Sequence, residues 1–400
     1  MKVLLCLLSE QHVPNLLSVH HYKPDRLVLI ESDGMRQKKV AEYFLDALAI
    51  ANFPLEQVDI LPLEDENNLA SVRRCLHHAF SKFPQSEWIA NVTGGLKPMS
   101  IAAYEFFKAL GSPVVYIDSR NPNELLGLDG ALPESSSYVL SLAEFMAGYG
   151  FKISKSWAKI IEGEERARKW WPAARAVAEF APDKNLLQVS ADASGREEWE
   201  TARKKGITLE SRHCDHLPIE VKTSLSECWK LQGNGTTIAG KIDKYQGTFL
   251  TGGWLEVFFW KLLTDHAASL GLEHIHLGVE ALRKGSDAPT DFDVAFMKRQ
   301  ALGAIECKSG SQEQGDDPNT PLDKLEARIK QFRALRVNPI LATTSAKILD
   351  ESGSLKSTFA ARSEIYNCRV ITTTQIRKLA KRPDSLENVR LILFGIPLEK

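Results

Sequence analysis

IECKSG, residues 305–310, reads as a strand that carries an acid and a lysine two positions apart. Alternate residues of a strand share a face, so Glu306 and Lys308 point one way and Ile305 and Cys307 the other. A second strand-like run, DFDVAF (291–296), precedes GAIECKS (303–309). The connection between them, Met297-Lys298-Arg299-Gln300-Ala301-Leu302, has hairpin length and polar residues at its tip. Pairing the two strands brings Asp293 near Glu306. Two carboxylates and one ammonium then make a compact pocket whose oxygens suit Mg2+ or Mn2+. Such an ion polarises a phosphoryl oxygen and lowers the pKa of a bound water, and a lysine beside it orients that water or steadies developing charge. Glu-x-Lys on a strand is also the pattern of an ordinary solvated cross-strand pair. The preceding Asp-bearing strand and the apolar flanks favour the chemical reading.

Upstream of this pair, Thr251 stands where it would cap a helix running through Gly252-Gly253-Trp254-Leu255-Glu256-Val257-Phe258-Phe259-Trp260 to about residue 270. Strand-like runs follow at 274–280, 292–297 and 303–308. A helix at 321–336, strands at 339–343 and 369–372, and an apolar run at 390–396 complete this part. His274 and His276 share a strand face and read as polar strand residues rather than metal ligands.

At the other end of the chain, apolar runs at 3–8, 27–31, 58–63, 88–92 and 113–118 alternate with helically spaced segments at 35–50, 66–82 and 98–110. Strands separated by helices predict βαβ units, hence a parallel sheet with helices on both faces. Such a sheet binds ligands beyond the carboxyl ends of its strands. The loops of interest are therefore 9–15, 32–35, 93–99 and 119–123. Asn91-Val92-Thr93-Gly94-Gly95-Leu96-Lys97-Pro98-Met99 closes the fourth strand and opens a helix. Its glycines permit close backbone approach, the helix start offers unpaired N–H groups to an anion, and Lys97 adds charge. It is neither a Walker loop nor the dinucleotide fingerprint. A tight structural turn between strand and helix is the plain alternative.

Between these parts, turn signals at 121–150 predict a hairpin and then a linker. Residues 151–245 carry helical patterns near 156–180, 195–205 and 221–232 and then LQGNGTTIAGK, which suggests a small winged-helix-like module. The expected units are 1–150, 151–245 and 246–400, in keeping with a length of 400 residues, too great for one ordinary core. A net charge of −1 gives no overall basic field, so a nucleic-acid partner must be held by a local groove or through metal ions. The apolar start is too short for a signal segment, and no run approaches the roughly 20 apolar residues of a spanning helix. The six cysteines form no Cys-x-x-Cys pair, which favours reduced thiols and a cytoplasmic protein. His213-Cys214-Asp215-His216 has no second ligand cluster and reads as a polar loop.

Asp293-(x12)-Glu306-x-Lys308 resembles the PD-(D/E)xK nuclease superfamily, with Glu256 matching the glutamate that many members place on the preceding helix. Asp291 is a second candidate acid, and Lys324 a candidate polar residue on the following helix. The loop Thr93-Gly94-Gly95-Leu96-Lys97-Pro98-Met99 resembles the signature of CARF domains, the Rossmann-like sensors of cyclic oligoadenylate, with Leu96 where threonine is frequent. Ser9-Glu10-Gln11-His12-Val13-Pro14-Asn15 is similar to their first-strand ligand loop. In this order the two motifs resemble the CRISPR ancillary nucleases.

The resemblance implies an N-terminal CARF domain and a C-terminal restriction-endonuclease-like α/β/α domain. It implies a homodimer whose paired CARF domains form one symmetric pocket for cyclic tetra-adenylate. Asp293, Glu306 and the backbone carbonyl of Cys307 would ligate the metal, Lys308 position the attacking water, and Glu256 support the metal or its water shell. Ser9, Gln11, Thr93, Gly94, Gly95, Leu96, Lys97 and Met99 would cradle the cyclic nucleotide. The implied substrates are single-stranded RNA and DNA, with nicking of duplex DNA in some members. Two alternatives stay open: a ligand-responsive transcription regulator, and a constitutive repair or restriction nuclease whose N-terminal domain only dimerises.

Overall fold

The N-terminal alternation builds one sheet of strands β1 (Lys2–Leu7), β2 (Arg26–Ser32), β3 (Val58–Leu63), β4 (Glu87–Asn91), β5 (Val114–Ile117), β6 (Glu124–Gly127) and β7 (Glu134–Ser135), in the order β3-β2-β1-β4-β5-β6-β7. This is a computed structural model, and it describes residues 1–118, 120–183, 185–233, 236–310, 319–332 and 338–397. Strands β1 to β5 are parallel, and β6 and β7 extend the edge as the antiparallel hairpin expected near 121–150. Both faces of β1 and β2 are buried. Leu4, Cys6, Leu27 and Leu29 pack with Leu16, Phe44 and Leu48 on one side, while Val3, Leu5, Val28 and Ile30 pack with Leu76, Ala103 and Phe107 on the other. Two-sided burial is what makes these strands read as continuous apolar runs. The order reverses between β1 and β4, so the crevice beyond their carboxyl ends is the sheet's switch point.

The C-terminal sheet begins earlier in sequence than expected. Strand β8 (Phe151–Ile153) pairs antiparallel with the long β12 (Leu272–Arg283). Between them, β9 (Ile207–Leu209), β10 (Gln232–Gly233) and β11 (Ile238–Ile242) form a small antiparallel sheet flanked by the helices Ala193–Lys205 and Ile219–Trp229. Asn234 and Gly235 of LQGNGTTIAGK lie outside the described residues. The helix Trp157–Phe180 runs beside Trp254–Asp265, and residues of both share one core with Leu225, Ile238 and Ile305.

Strands β13 (Pro289–Lys298), β14 (Ala301–Lys308), β15 (Asn338–Thr343) and β16 (Arg369–Ile371) complete the order β16-β15-β14-β13-β12-β8. The meander β12-β13-β14 is antiparallel, and β15 and β16 join in parallel. The helix expected over 321–336 is Thr320–Ile329 with one further turn, Lys330–Phe332; residues 333–336 lie outside the described residues.

The sequence reading needs four local corrections. The six-residue connection 297–302 is a two-residue turn. Strand pairing continues to Lys298↔Ala301, and both Arg299 (φ 48°) and Gln300 (φ 62°) take the left-handed conformation that such turns require. Thr251 does not cap the following helix: its hydroxyl donates back to the carbonyls of Gly247 and Thr248, and Gly252 (φ 138°) breaks the chain before the helix starts at Trp254. That helix ends at Asp265, not 270. His274 (φ 49°) lies in an irregularity of β12, so it and His276 do not alternate as in a regular strand, and His276 Nδ1 lies 3.0 Å from Glu164 Oε1. Among the described residues no helix is long and apolar enough to cross a membrane, and the six cysteines are free.

Candidate functional site: a carboxylate pair and a glycine-loop crevice

In β14, Ile305 and Cys307 join the core formed with the helix Trp254–Asp265, while Ala304 and Leu302 join the opposite one. Glu306 lies on the second side and is 2% exposed, so its charge has to be met inside the protein. Lys308 Nζ lies 2.6 Å from Oε1, and the Arg328 guanidinium lies 2.5 Å from Oε2. Among the described residues no hydrogen-bond donor is aligned on the buried Oε1, so Lys308 meets it as a charge contact. Asp293 accepts from the Cys307 backbone N–H at 2.7 Å, which ties the two strands together beyond their last paired residues.

Burial, then the neighbouring Glu306, pushes the Asp293 carboxyl up to about 6, against the pull of Lys308 and the Cys307 N–H. Burial, and next Asp293, also holds Glu256 well above the usual carboxylate range. Burial draws the Lys308 ammonium down, but Glu306 and Asp293 outweigh it and hold Lys308 above its ordinary range. The same acids thus favour its charged form.

Crowded acids with one undirected buried oxygen fit a hard divalent cation, which would relieve their repulsion. Among the described residues no three His, Cys, Asp or Glu side chains already stand as a metal cage. Glu256 opens instead onto a cleft of about 390 Å³ whose wall includes Lys155, Lys159, Arg166, Lys244 and Tyr245. Arg166 stacks 3.8 Å over the Tyr245 ring.

Two other candidates lie apart from the pair. Asp291 is exposed opposite Glu280. Lys324 is exposed as well, and Arg328, one turn along the same helix, makes the contact with Glu306. His213 of the HCDH stretch is buried in a helical turn, with Nε2 3.0 Å from Glu198 Oε1.

At the switch point of the first sheet, Ser9, Gln11, Thr93, Gly94 and Gly95 line a cavity of about 300 Å³ with Tyr116 and Tyr149. Behind it, Asn91 Nδ2 donates to Asn15 Oδ1 at 3.0 Å and Ser18 Oγ at 2.9 Å, fastening β4 to the first helix. The Thr93 hydroxyl donates to Asn91 Oδ1 and accepts from the Ile117 N–H, so it shapes the loop. A Cβ on Gly94 would stand 2.1 Å from the Leu7 carbonyl oxygen, and Gly95 has φ +75°. Gly94 therefore serves the close approach of the loop to β1. Leu96 and Lys97 are exposed beside the cavity rather than in its wall. Met99 is 1% exposed and packs beneath the loop in the core.

Sequence reasoning missed Tyr116, Arg328 and, most of all, Arg299 and Gln300, which also line this cavity. Their signal is the basic pair Lys298-Arg299 at the polar hairpin tip, and nothing in the local sequence ties that tip to the first sheet.

The family described as Card1 CARF domain matches residues 3–145, and that described as Card1-like, endonuclease domain, matches residues 243–377. No curated protein sequence matches the chain. Among solved structures, Can2 from Sulfobacillus thermosulfidooxidans in complex with cyclic tetra-adenylate is similar with a TM-score of 0.65 at 18% identity, over 96% of this chain and 98% of that one. Protein VC1899 from Vibrio cholerae gives 0.71 at 15%, over 97% and 98%. A type III CRISPR defence DNA nuclease activated by cyclic oligoadenylate gives 0.52 at 18%, over 85% of this chain and 45% of that one. At these identities the likeness is one of fold.

Proposed function

The chain belongs to the fusions of a Card1-type CARF domain with a Card1-like endonuclease domain, and from that premise we propose that it is a metal-dependent endonuclease of type III CRISPR antiviral defence, switched on by cyclic tetra-adenylate. The observation that carries this reading is the acid pair Asp293 and Glu306 with Lys308, next to Glu256 at the wall of a basic, aromatic cleft. The cleft supplies the local groove that a protein of net charge −1 needs to hold a phosphodiester chain. Its exposed Tyr245 offers a stacking face for a base, which favours single-stranded RNA and DNA over a closed duplex; nicked duplex DNA is the secondary substrate.

Asp293 and Glu306, with the Cys307 carbonyl, would hold Mg2+ or Mn2+, and Glu256 would support its shell. Such an ion supplies charge to a phosphoryl oxygen and acidifies a water. Lys308, kept charged by its neighbours, orients the attacking water and steadies the charge that develops on the phosphate. Arg328 holds the Glu306 carboxylate in place.

The size of the crevice supports a homodimer. One protomer's 300 Å³ crevice is at the lower end even for drug-sized ligands, so a ring of four nucleotides needs the same surface from a second copy. Binding would bias the dimer towards the arrangement in which the nuclease sites engage a strand.

Replacing Glu306 by Ala tests the site. Cleavage of a labelled strand with Mn2+ and cyclic tetra-adenylate should disappear, while the affinity for the cyclic nucleotide stays within about twofold. Cutting at the wild-type rate refutes the site assignment.

A further inference from the structure

The hairpin β13–β14 ends at the acids on one side and in the sensor crevice on the other. From Lys298 back to Asp293, and from Ala301 on to Glu306, each strand runs five residues, about 17 Å at about 3.4 Å per residue. At the turn, Gln300 is 4% exposed and held entirely by the sensor domain. Its amide donates to Asn123 Oδ1 at 2.9 Å and to the Tyr138 carbonyl at 2.6 Å, and its oxygen accepts from the Leu140 N–H at 3.0 Å. Arg299, exposed beside it, lines the same cavity as Ser9, Gln11, Thr93 and Tyr116, and among the described residues it has no ion-pair or hydrogen-bond partner.

The turn is built against local preference. Two-residue turns of this hand favour Asn-Gly or Asp-Gly, because both central residues need positive φ. Here two long side chains accept that cost. Such outliers persist where the surroundings fix them, and they gather at binding sites and switches. For Gln300 the compensation is its three hydrogen bonds. Among the described residues no partner answers for Arg299, which lines a crevice with the glycine loop. Between turn and acids the hairpin is stiff: Val294–Met297 and Ala301–Glu306 are buried, and the Phe296 ring lies so close to Gly303 that a Cβ there would stand 2.2 Å from it.

We propose that Arg299 is a ligand-binding residue of the sensor crevice, contributed by the nuclease sheet, and that it grips a phosphate of the cyclic oligonucleotide so that occupancy acts directly on the strands carrying Asp293 and Glu306. A guanidinium suits a phosphate through its forked donors. This rests on the reading of the crevice as a cyclic-nucleotide site.

The test uses the full chain, cyclic tetra-adenylate as probe, and calorimetry at two salt concentrations. Arg299→Asn removes the charge, yet asparagine tolerates positive φ better than arginine, so the turn itself is eased. The expected result is binding weaker by about 10- to 100-fold, the scale of one charge-assisted hydrogen bond, with a flatter salt dependence and an unchanged melting temperature. Arg299→Lys should recover part of the affinity. If wild type binds and Arg299→Asn binds equally well with the same salt dependence, the crevice keeps its function and this proposal falls alone. Wild type that binds no cyclic tetra-adenylate removes the sensor reading, and the proposal with it.

Discussion

Replacing Asp293 by Asn probes the crowding of acids without deleting a contact, because the amide oxygen still accepts from the Cys307 N–H. The carboxyl stands at about 6 against an ordinary value of 3.8, through burial first and Glu306 second. An acid whose pKa is higher in the folded state holds its proton longer there than in the unfolded chain. Stability therefore falls as pH rises through the interval from about 4 to about 6, and then levels off. At about 1.4 kcal/mol per tenfold, the full cost in metal-free protein is at most about 3 kcal/mol, roughly half of it present at pH 5 and all of it by pH 8. The neutral amide carries none of this. Urea unfolding in chelator, followed by the fluorescence of Trp254 and Trp260 in the surrounding core, should show the variant more stable than wild type at both pH values, with the larger margin at pH 8. Added Mg2+ should stabilise wild type and leave the variant unmoved. A margin independent of pH, or a variant less stable at pH 8, refutes the picture of acids held together against their repulsion.

Two other substitutions address the periphery of each site. Lys97→Ala, exposed at the start of its helix, should raise the cyclic tetra-adenylate concentration needed for half-maximal activation by about tenfold and leave metal-dependent stabilisation intact; full activation at low ligand shows that Lys97 takes no part in holding the ligand. Lys159→Ala in the basic cleft should weaken strand binding severalfold and reduce its salt slope by about one, with the cyclic-nucleotide affinity unaltered; an unchanged salt slope places the strand elsewhere.

Much of the fold was legible because two-sided burial writes itself into sequence. Continuous apolar runs such as VLLCLL and LVLIE have few alternatives to buried parallel strands once helices separate them. The approach of Asp293 to Glu306 was legible for a related reason: slipping the register that pairs Val294 with Ile305 by one would turn every side chain of β14 to the wrong face. What escaped depended on tertiary contact. Arg328 and Lys324 lie one turn apart on the same helix, and only the height of β14 decides which meets Glu306. Propensity argues against Arg-Gln as a two-residue turn, and the compensation comes from Asn123, Tyr138 and Leu140, more than 150 residues away. Strand β8 is three residues long and gains its meaning only beside β12.

Purified protein incubated with Mn2+ and an end-labelled single strand, with and without cyclic tetra-adenylate, tests the pairing of the two sites most directly. Cleavage confined to the tube with the cyclic nucleotide is the expected result. Equal cutting in both tubes, as from a constitutive nuclease, or none in either, as from a regulator, would contradict it.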